Sequence, residues 1–147
     1  NIEIIGTDIS QRVLHAARHG VYSSSSFRTT DEYFVRRYFQ QQEEGLRISD
    51  EVRQLVNISQ LNLFDSGRIV LLGRMDVVFC RNVIIYFDNE AKKRVIESFY
   101  NTLQDGGFLL LGHSESLMNV STGFTLRHFK NDMIYQKPAR PVWGLKP

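Results

Sequence analysis

The stretch MDVVFCRNVIIYF, Met75 to Phe87, is the most apolar segment of the chain, yet Arg81 and Asn82 sit inside it side by side. A strand buried on both faces reads as a continuous apolar run, and DVVFC is of that kind. A guanidinium and an amide do not belong in such a run, because burying them without partners is costly. The conflict disappears if the strand ends at Cys80. Arg81 and Asn82 then stand at its carboxyl end, where open α/β sheets bind their ligands. A partly buried ion pair for Arg81 and a loop amide for Asn82 are the plainer alternatives.

Outward from this stretch, strands alternate with helices. Asp88 is placed to cap a helix whose Val95, Ile96, Phe99, Tyr100 and Leu103 share one face. Asp105-Gly106-Gly107 then turns the chain into a second apolar strand, FLLLG. Upstream, Ile2 to Thr7 reads as a short strand followed by Asp8, with Ser10 as an N-cap and Gly20 as the C-terminal stop of a helix carrying Val13, Leu14 and Ala17. Thr30 or Asp31 caps a short helix bearing Tyr33, Phe34 and Tyr38, and Gly45 predicts a tight hairpin. SDEVRQLV predicts one more helical turn, and VNISQLNLFD a strand ending near Asn62-Leu63. FTLRHF and DMIYQK predict a terminal antiparallel pair with Asn131-Asp132 in its turn. The pattern predicts an α/β fold with a mostly parallel sheet and helices on both faces.

Bulk properties exclude several classes. The 147 residues suffice for one domain with a core, and 42% apolar with 23% charged residues is ordinary globular composition. A net charge of +2 gives no electrostatic case for nucleic acid. One cysteine, Cys80, excludes an intrachain disulfide and a CxxC metal site. No apolar run has the length of a membrane span, so no membrane insertion is expected.

Polar residues recur at the predicted strand ends. Asp8 closes the first strand, where a carboxylate can accept hydrogen bonds from both hydroxyls of a ribose; a turn or capping aspartate is the alternative. Asn62-Leu63 can read an adenine edge and pack on its ring, or be a loop amide beside a core leucine. Tyr86 lies four residues after Asn82, within reach of the same crevice, or belongs to the core. GHSES, Gly112 to Ser116, brings Ser, His and acid together, but in an order without G-x-S-x-G and too close in sequence for three separately placed groups. It reads as a loop at the same sheet edge. His15, His19 and His128 have no metal-ligand spacing, and no metal site is expected. The absence of GxGxxG speaks against a nicotinamide dehydrogenase.

With these residues placed, IIGTDIS, CRNVIIYF, LQDGGFLLLGHSES and the closing MIYQK closely resemble the chemotaxis receptor methyltransferases of the CheR family. The resemblance runs from Asn1 to about Lys137. It implies a Rossmann-like methyltransferase sheet over residues 1–137, a small antiparallel β-subdomain at about 36–55, and a tail from Pro138 to Pro147. The activity implied is transfer of a methyl group from S-adenosylmethionine to receptor glutamates in the cytoplasm, with S-adenosylhomocysteine as product. A catalytically inactive cofactor-binding sensor of the same fold is the alternative. By resemblance, Asp8 binds the ribose, Asn62 and Leu63 flank the adenine, Arg81 and Asn82 lie beside the amino-acid portion, and Tyr86 lies near the transferred methyl. The implied partner is the helical cytoplasmic domain of a chemoreceptor.

The family's helical N-terminal domain, and its first strand with a glycine-rich loop, have no counterpart in these residues. The expectation is therefore a portion of a longer enzyme, with its sheet in two fragments. Family members that grip a pentapeptide at the receptor's C-terminus carry a longer Gly-x-Gly-Pro hairpin. Gln40 to Gly45, with one glycine, no proline and Glu43-Glu44, predicts that this protein does not bind that peptide.

Overall fold

The computed structural model describes residues 2–120, 123–129 and 132–139. In chain order the elements are β1 (Ile4–Asp8), α1 (Gln11–His19), β2 (Val21–Tyr22), α2 (Glu32–Tyr38), β3 (Phe39–Gln42), β4 (Gly45–Ile48), α3 (Asp50–Arg53), β5 (Val56–Gln60), α4 (Ser66–Val70), β6 (Met75–Cys80), α5 (Asn89–Thr102), β7 (Leu103–Leu111), β8 (Thr125–His128) and β9 (Met133–Gln136). Single 3-10 turns occur at Ser24–Phe27 and Ile84–Tyr86. The chain divides into two compact units, Asn1–Asn62 and Leu63–Pro147.

In the first unit β1 and β5 pair in parallel, from Ile4↔Val56 to Asp8↔Gln60. Ser10 caps α1, its side chain accepting the Val13 N–H, and Gly20 ends it in the left-handed region at φ 71°. Only Leu14 of this helix is buried. A separate antiparallel sheet has the order β2-β4-β3. Val21–Tyr22 belongs to it, so the small sheet draws on more of the chain than residues 36–55. The β3–β4 hairpin closes through Glu43-Glu44 alone, since Gln42 pairs with Gly45. Gly45 is required there: at φ 143°, a Cβ would come within 2.5 Å of the Tyr22 carbonyl oxygen. Asp31, rather than Thr30, caps α2 by accepting the Tyr33 N–H.

The second unit is a mixed sheet of order β6-β7-β9-β8, parallel between β6 and β7 and antiparallel beyond. Its core joins Cys80, Ile84, Val95, Ile96, Phe99, Leu103, Leu109 and Leu117. Val95, Ile96 and Phe99 come from one face of α5, capped by Asp88, whose Oδ1 accepts the Ala91 N–H at 2.8 Å. β7 begins earlier than FLLLG and holds a large bulge: Met75 pairs with Leu103, but Val77 with Phe108. Gly106, at φ 84°, lies in that bulge. Met133–Gln136 pairs with Thr125–His128 as the sequence predicts; Asn131 lies outside the described residues, as does the tail from 140 onward.

Two expectations are corrected. DVVFC is not buried on both faces: Phe79 is 71% exposed and Val77 is also exposed, while Cys80 alone is fully buried. Val77 and Phe79 alternate onto one face of β6, which stays open to solvent among the described residues. Among the described residues β6 pairs only with β7, and β1 only with β5, so each leaves one edge unpaired. Secondly, β5 ends at Gln60, two residues before Asn62. The helix α4, capped by Asp65 through the Arg68 N–H at 3.1 Å, has no counterpart in the sequence reading.

Candidate functional site

Asp8 lies at the carboxyl end of β1 and is half-buried. Its Oδ1 accepts the Ser10 N–H at 2.8 Å, and its carbonyl accepts the Leu61 N–H at 3.0 Å. The aspartate is thus a turn former and a strand-end acid at once. Its Oδ2 has no protein partner among the described residues, which leaves an acceptor for a hydroxyl donor. Asn62 is exposed just beyond buried Leu61, in the segment that follows β5. Within the first unit Asp8 ends β1, and Asn62 follows the end of the adjacent parallel strand β5 by two residues.

Leu63 does not share that setting. It packs against the core of the second unit, with Phe64. Arg81 and Asn82 immediately follow β6 and are both exposed, as the strand-end reading requires. Asn82 adopts the left-handed conformation at φ 58°, which asparagine tolerates better than most residues. Tyr86 ends the 3-10 turn with 80% of its surface exposed, so it is not a core tyrosine. Ile84, at 1% exposure, pins the same turn to the core.

The residue that builds this loop is one the sequence reading passed over. Glu115, 9% exposed, accepts four backbone N–H groups. Gly112 (2.7 Å) and Asn82 (2.8 Å) donate to Oε2; Val83 (2.9 Å) and Ile85 (3.3 Å) donate to Oε1. Burial alone would raise its pKa, but the four donors outweigh it and hold the carboxyl below its ordinary value of 4.5. Val83 precedes the 3-10 turn and cannot cap it, so the turn's amides need a foreign acceptor. With both oxygens committed to amides, Glu115 cannot orient His113 as a relay would.

Cys80, 5% exposed beneath the loop, is held as a thiol: burial, then the charge of Glu115, pushes it up to about 12. A hollow of about 290 Å³ opens at the end of β7, lined by His113, Glu115, Phe129, Asp132, Met133 and Tyr135 among others. That is at the small end for enclosing a nucleoside-sized ligand. Among the described residues no three His, Cys, Asp or Glu side chains cluster as a metal site would need, and no helix is long and apolar enough to cross a membrane.

The family described as "CheR methyltransferase, SAM binding domain" matches residues 1–132. The chain belongs to the CheR methyltransferase family. Its Rossmann-like α/β fold, with parallel pairs β1–β5 and β6–β7, is that of this family. Among CheR relatives, chemotaxis protein methyltransferase 2 of Vibrio cholerae is 39% identical over 141 residues, covering 95% of this chain and 49% of its own length. Chemotaxis protein methyltransferase of Vibrio parahaemolyticus is 37% identical, covering 92% and 50%. Chemotaxis protein methyltransferase 1 of Pseudomonas aeruginosa is 35% identical, covering 92% and 49%. The chain thus spans about half the length of the curated relatives it matches. Among solved structures, an O-methyltransferase family protein from Burkholderia thailandensis is similar over 61% of this chain and 38% of its own, at a TM-score of 0.46 and 16% identity.

Proposed function

We propose that the protein containing these residues transfers a methyl group from S-adenosylmethionine to glutamate carboxylates of chemoreceptors, forming methyl esters in the cytoplasm. The observation that carries this reading is the CheR family match across residues 1–132. Each residue assigned to the cofactor carries a chemically suitable group. Asp8 offers an unengaged carboxylate oxygen for a ribose hydroxyl. Asn62, in the first unit, is assigned to the adenine edge, and Leu63, in the second, to its ring. Arg81 and Asn82 stand exposed at a strand end for the amino-acid portion.

Bound S-adenosylmethionine would supply a methyl group already activated by its sulfonium charge. The acceptor glutamate, with an ordinary pKa of about 4.3, is ionised at neutral pH and needs no general base. The work left to the protein is alignment of carboxylate oxygen, methyl carbon and sulfur, a proximity effect. Transfer to an ionised carboxylate would require no proton to be held or moved by the protein's own residues. This agrees with Glu115 being engaged away from His113 and with a buried Cys80 thiol that stays protonated at neutral pH. The exposed hydroxyl of Tyr86 is available to orient the acceptor.

The acceptor protein in this reading is the helical cytoplasmic domain of a chemoreceptor, engaged at its methylation region. The closed two-residue hairpin at Glu43-Glu44 supports recognition without the receptor's C-terminal pentapeptide. The test is a labelled-methyl assay with the full-length protein and receptor cytoplasmic domain. Base-labile methyl label on the receptor is expected. Cofactor binding without any label would overturn the enzyme in favour of a sensor. In the same assay Tyr86→Phe should lower turnover about tenfold or more and leave S-adenosylhomocysteine affinity unchanged. Equal loss of both would make Tyr86 a binding or packing residue.

A further inference from the structure

Three backbone amides of the loop after β6, those of Asn82, Val83 and Ile85, point at one spot. A left-handed residue beside further turn residues creates such a nest of N–H groups, and a nest needs an anion. The loop supplies none. Val83 has no side-chain acceptor, and the Arg81, Asn82 and Tyr86 side chains are exposed. The anion comes from the turn that follows β7, as Glu115 reaches back across the ends of β6 and β7. Its own turn is closed by the Glu115 N–H donating to the Gly112 carbonyl at 3.0 Å.

Gly112 makes the approach possible. A Cβ there would lie 2.6 Å from Asn82 Oδ1, 2.9 Å from Glu115 Oε2 and 3.1 Å from the Asn82 nitrogen. Gly112 and Glu115 therefore act as one device, a backbone without a side chain and a carboxylate folded onto it. The carboxylate meets the loop at its main-chain amides, and Gly112 also lies against Asn82 Oδ1. The side chains of Arg81 and Tyr86 are exposed.

We infer that Glu115 is a positioning residue of the methyl-transfer site, fixing Asn82 in its left-handed conformation and Tyr86 on its turn. This rests on the function proposed above. Ile84 gives the inference its discriminating power. Because that side chain is buried to 1% exposure, the loop stays attached to the core when the carboxylate is lost. Asn82 is what relaxes, and the loss falls on the site more than on the fold.

The experiment uses the full-length methyltransferase, with wild type measured in parallel. Glu115→Gln keeps the size but retains one acceptor oxygen and sets an NH₂ group against amide donors. Its Kd for S-adenosylhomocysteine should rise, and its kcat should fall, by about tenfold or more each. KM for the receptor at saturating cofactor should stay within twofold or so of wild type, a split that a general loss of folded protein would not produce. Glu115→Asp, which keeps the charge but falls short by a methylene, should recover part of both losses. Gly112→Ala, which displaces Asn82 without removing the carboxylate, should weaken the cofactor in the same way, and it serves as the test if Glu115→Gln does not fold. Wild-type Kd and kcat in a folded Glu115→Gln, or wild-type Kd in a folded Gly112→Ala, would overturn the inference. If wild type itself neither binds the cofactor nor labels the receptor, the proposed function fails first, and the two failures are told apart.

Discussion

Glu115 and Cys80 lie close together, and burial acts on them to opposite final effect. Among the described residues no donor stabilises a Cys80 thiolate, and burial and the charge of Glu115 keep it protonated across the physiological range. Glu115 has four donors, so it remains ionised. Its folded pKa is depressed, so its contribution to stability is fully present above its unfolded value and is lost as pH falls through the folded one. Urea midpoints of the full-length protein measured from pH 6 down to 3 should therefore decline below the ordinary value of 4.5, and Glu115→Gln should flatten that decline. An identical slope in the two proteins would assign the acid sensitivity to other carboxylates. Asp8 belongs to the same scale. Asp8→Ala removes both the turn acceptor for Ser10 and the proposed ribose acceptor, and calorimetry should show S-adenosylhomocysteine bound about tenfold more weakly, roughly 1.4 kcal/mol. Unchanged affinity with the fold intact would remove Asp8 from the site. Asp8 and Asn82 were legible as site candidates because a polar residue ending an apolar run is a local signal. Glu115 was not, since three of its four donors lie 30–33 residues away.

At the scale of elements, α5 shows the contrast most directly. Its N-terminus is capped from within its own sequence by Asp88, three residues before the Ala91 amide it satisfies. Its C-terminus is capped from a distance. Lys137, 7% exposed, donates to the carbonyls of Tyr100 at 2.8 Å and Leu103 at 2.9 Å, lies 3.5 Å from Asp105 and sits over the Tyr100 ring. A cation there also meets the negative end of the helix dipole. Lys137→Met keeps most of the aliphatic stem and loses the donors. It should cost about 1–3 kcal/mol, read as a lower urea midpoint at unchanged slope. A midpoint equal to wild type would show that Arg74, which donates to the Asn101 carbonyl at 2.9 Å, suffices to cap the helix. The elements that sequence reading found were those with such local marks: α1 between Ser10 and Gly20, the hairpin at Gly45, and α5 after Asp88. It missed α4, whose five residues bury only Ile69 and are too few to show a period.

At the scale of the molecule, the chain forms two compact units, and the small β2-β4-β3 sheet belongs to the first. Its edge strand β3 carries Gln40, Gln41 and Gln42, all exposed, and turns directly through Glu43-Glu44. A peptide adding a strand to this edge would meet two exposed carboxylates at the turn. Titration of the receptor's C-terminal pentapeptide into the full-length protein should give no saturable binding at micromolar concentration. Saturable binding at that concentration would overturn the loop argument, leaving the methyl-transfer reading intact.

The sequence by itself determined the order of strands and helices, most of their caps, the ending of β6 before Arg81 and the likeness to the CheR family. These rest on interactions that span a few residues, such as an N-cap to its third amide or a glycine at a positive φ. Only the tertiary structure decided which face of β6 is covered and what holds the Arg81–Tyr86 loop. Both depend on neighbours that alternation cannot name. A two-residue period says that Val78 and Cys80 share a face, but not that Val77 and Phe79 would remain exposed. A glutamate in a loop says nothing of its partners until the pairing of Cys80 with Leu111 sets the two strand ends side by side, within reach of one carboxylate.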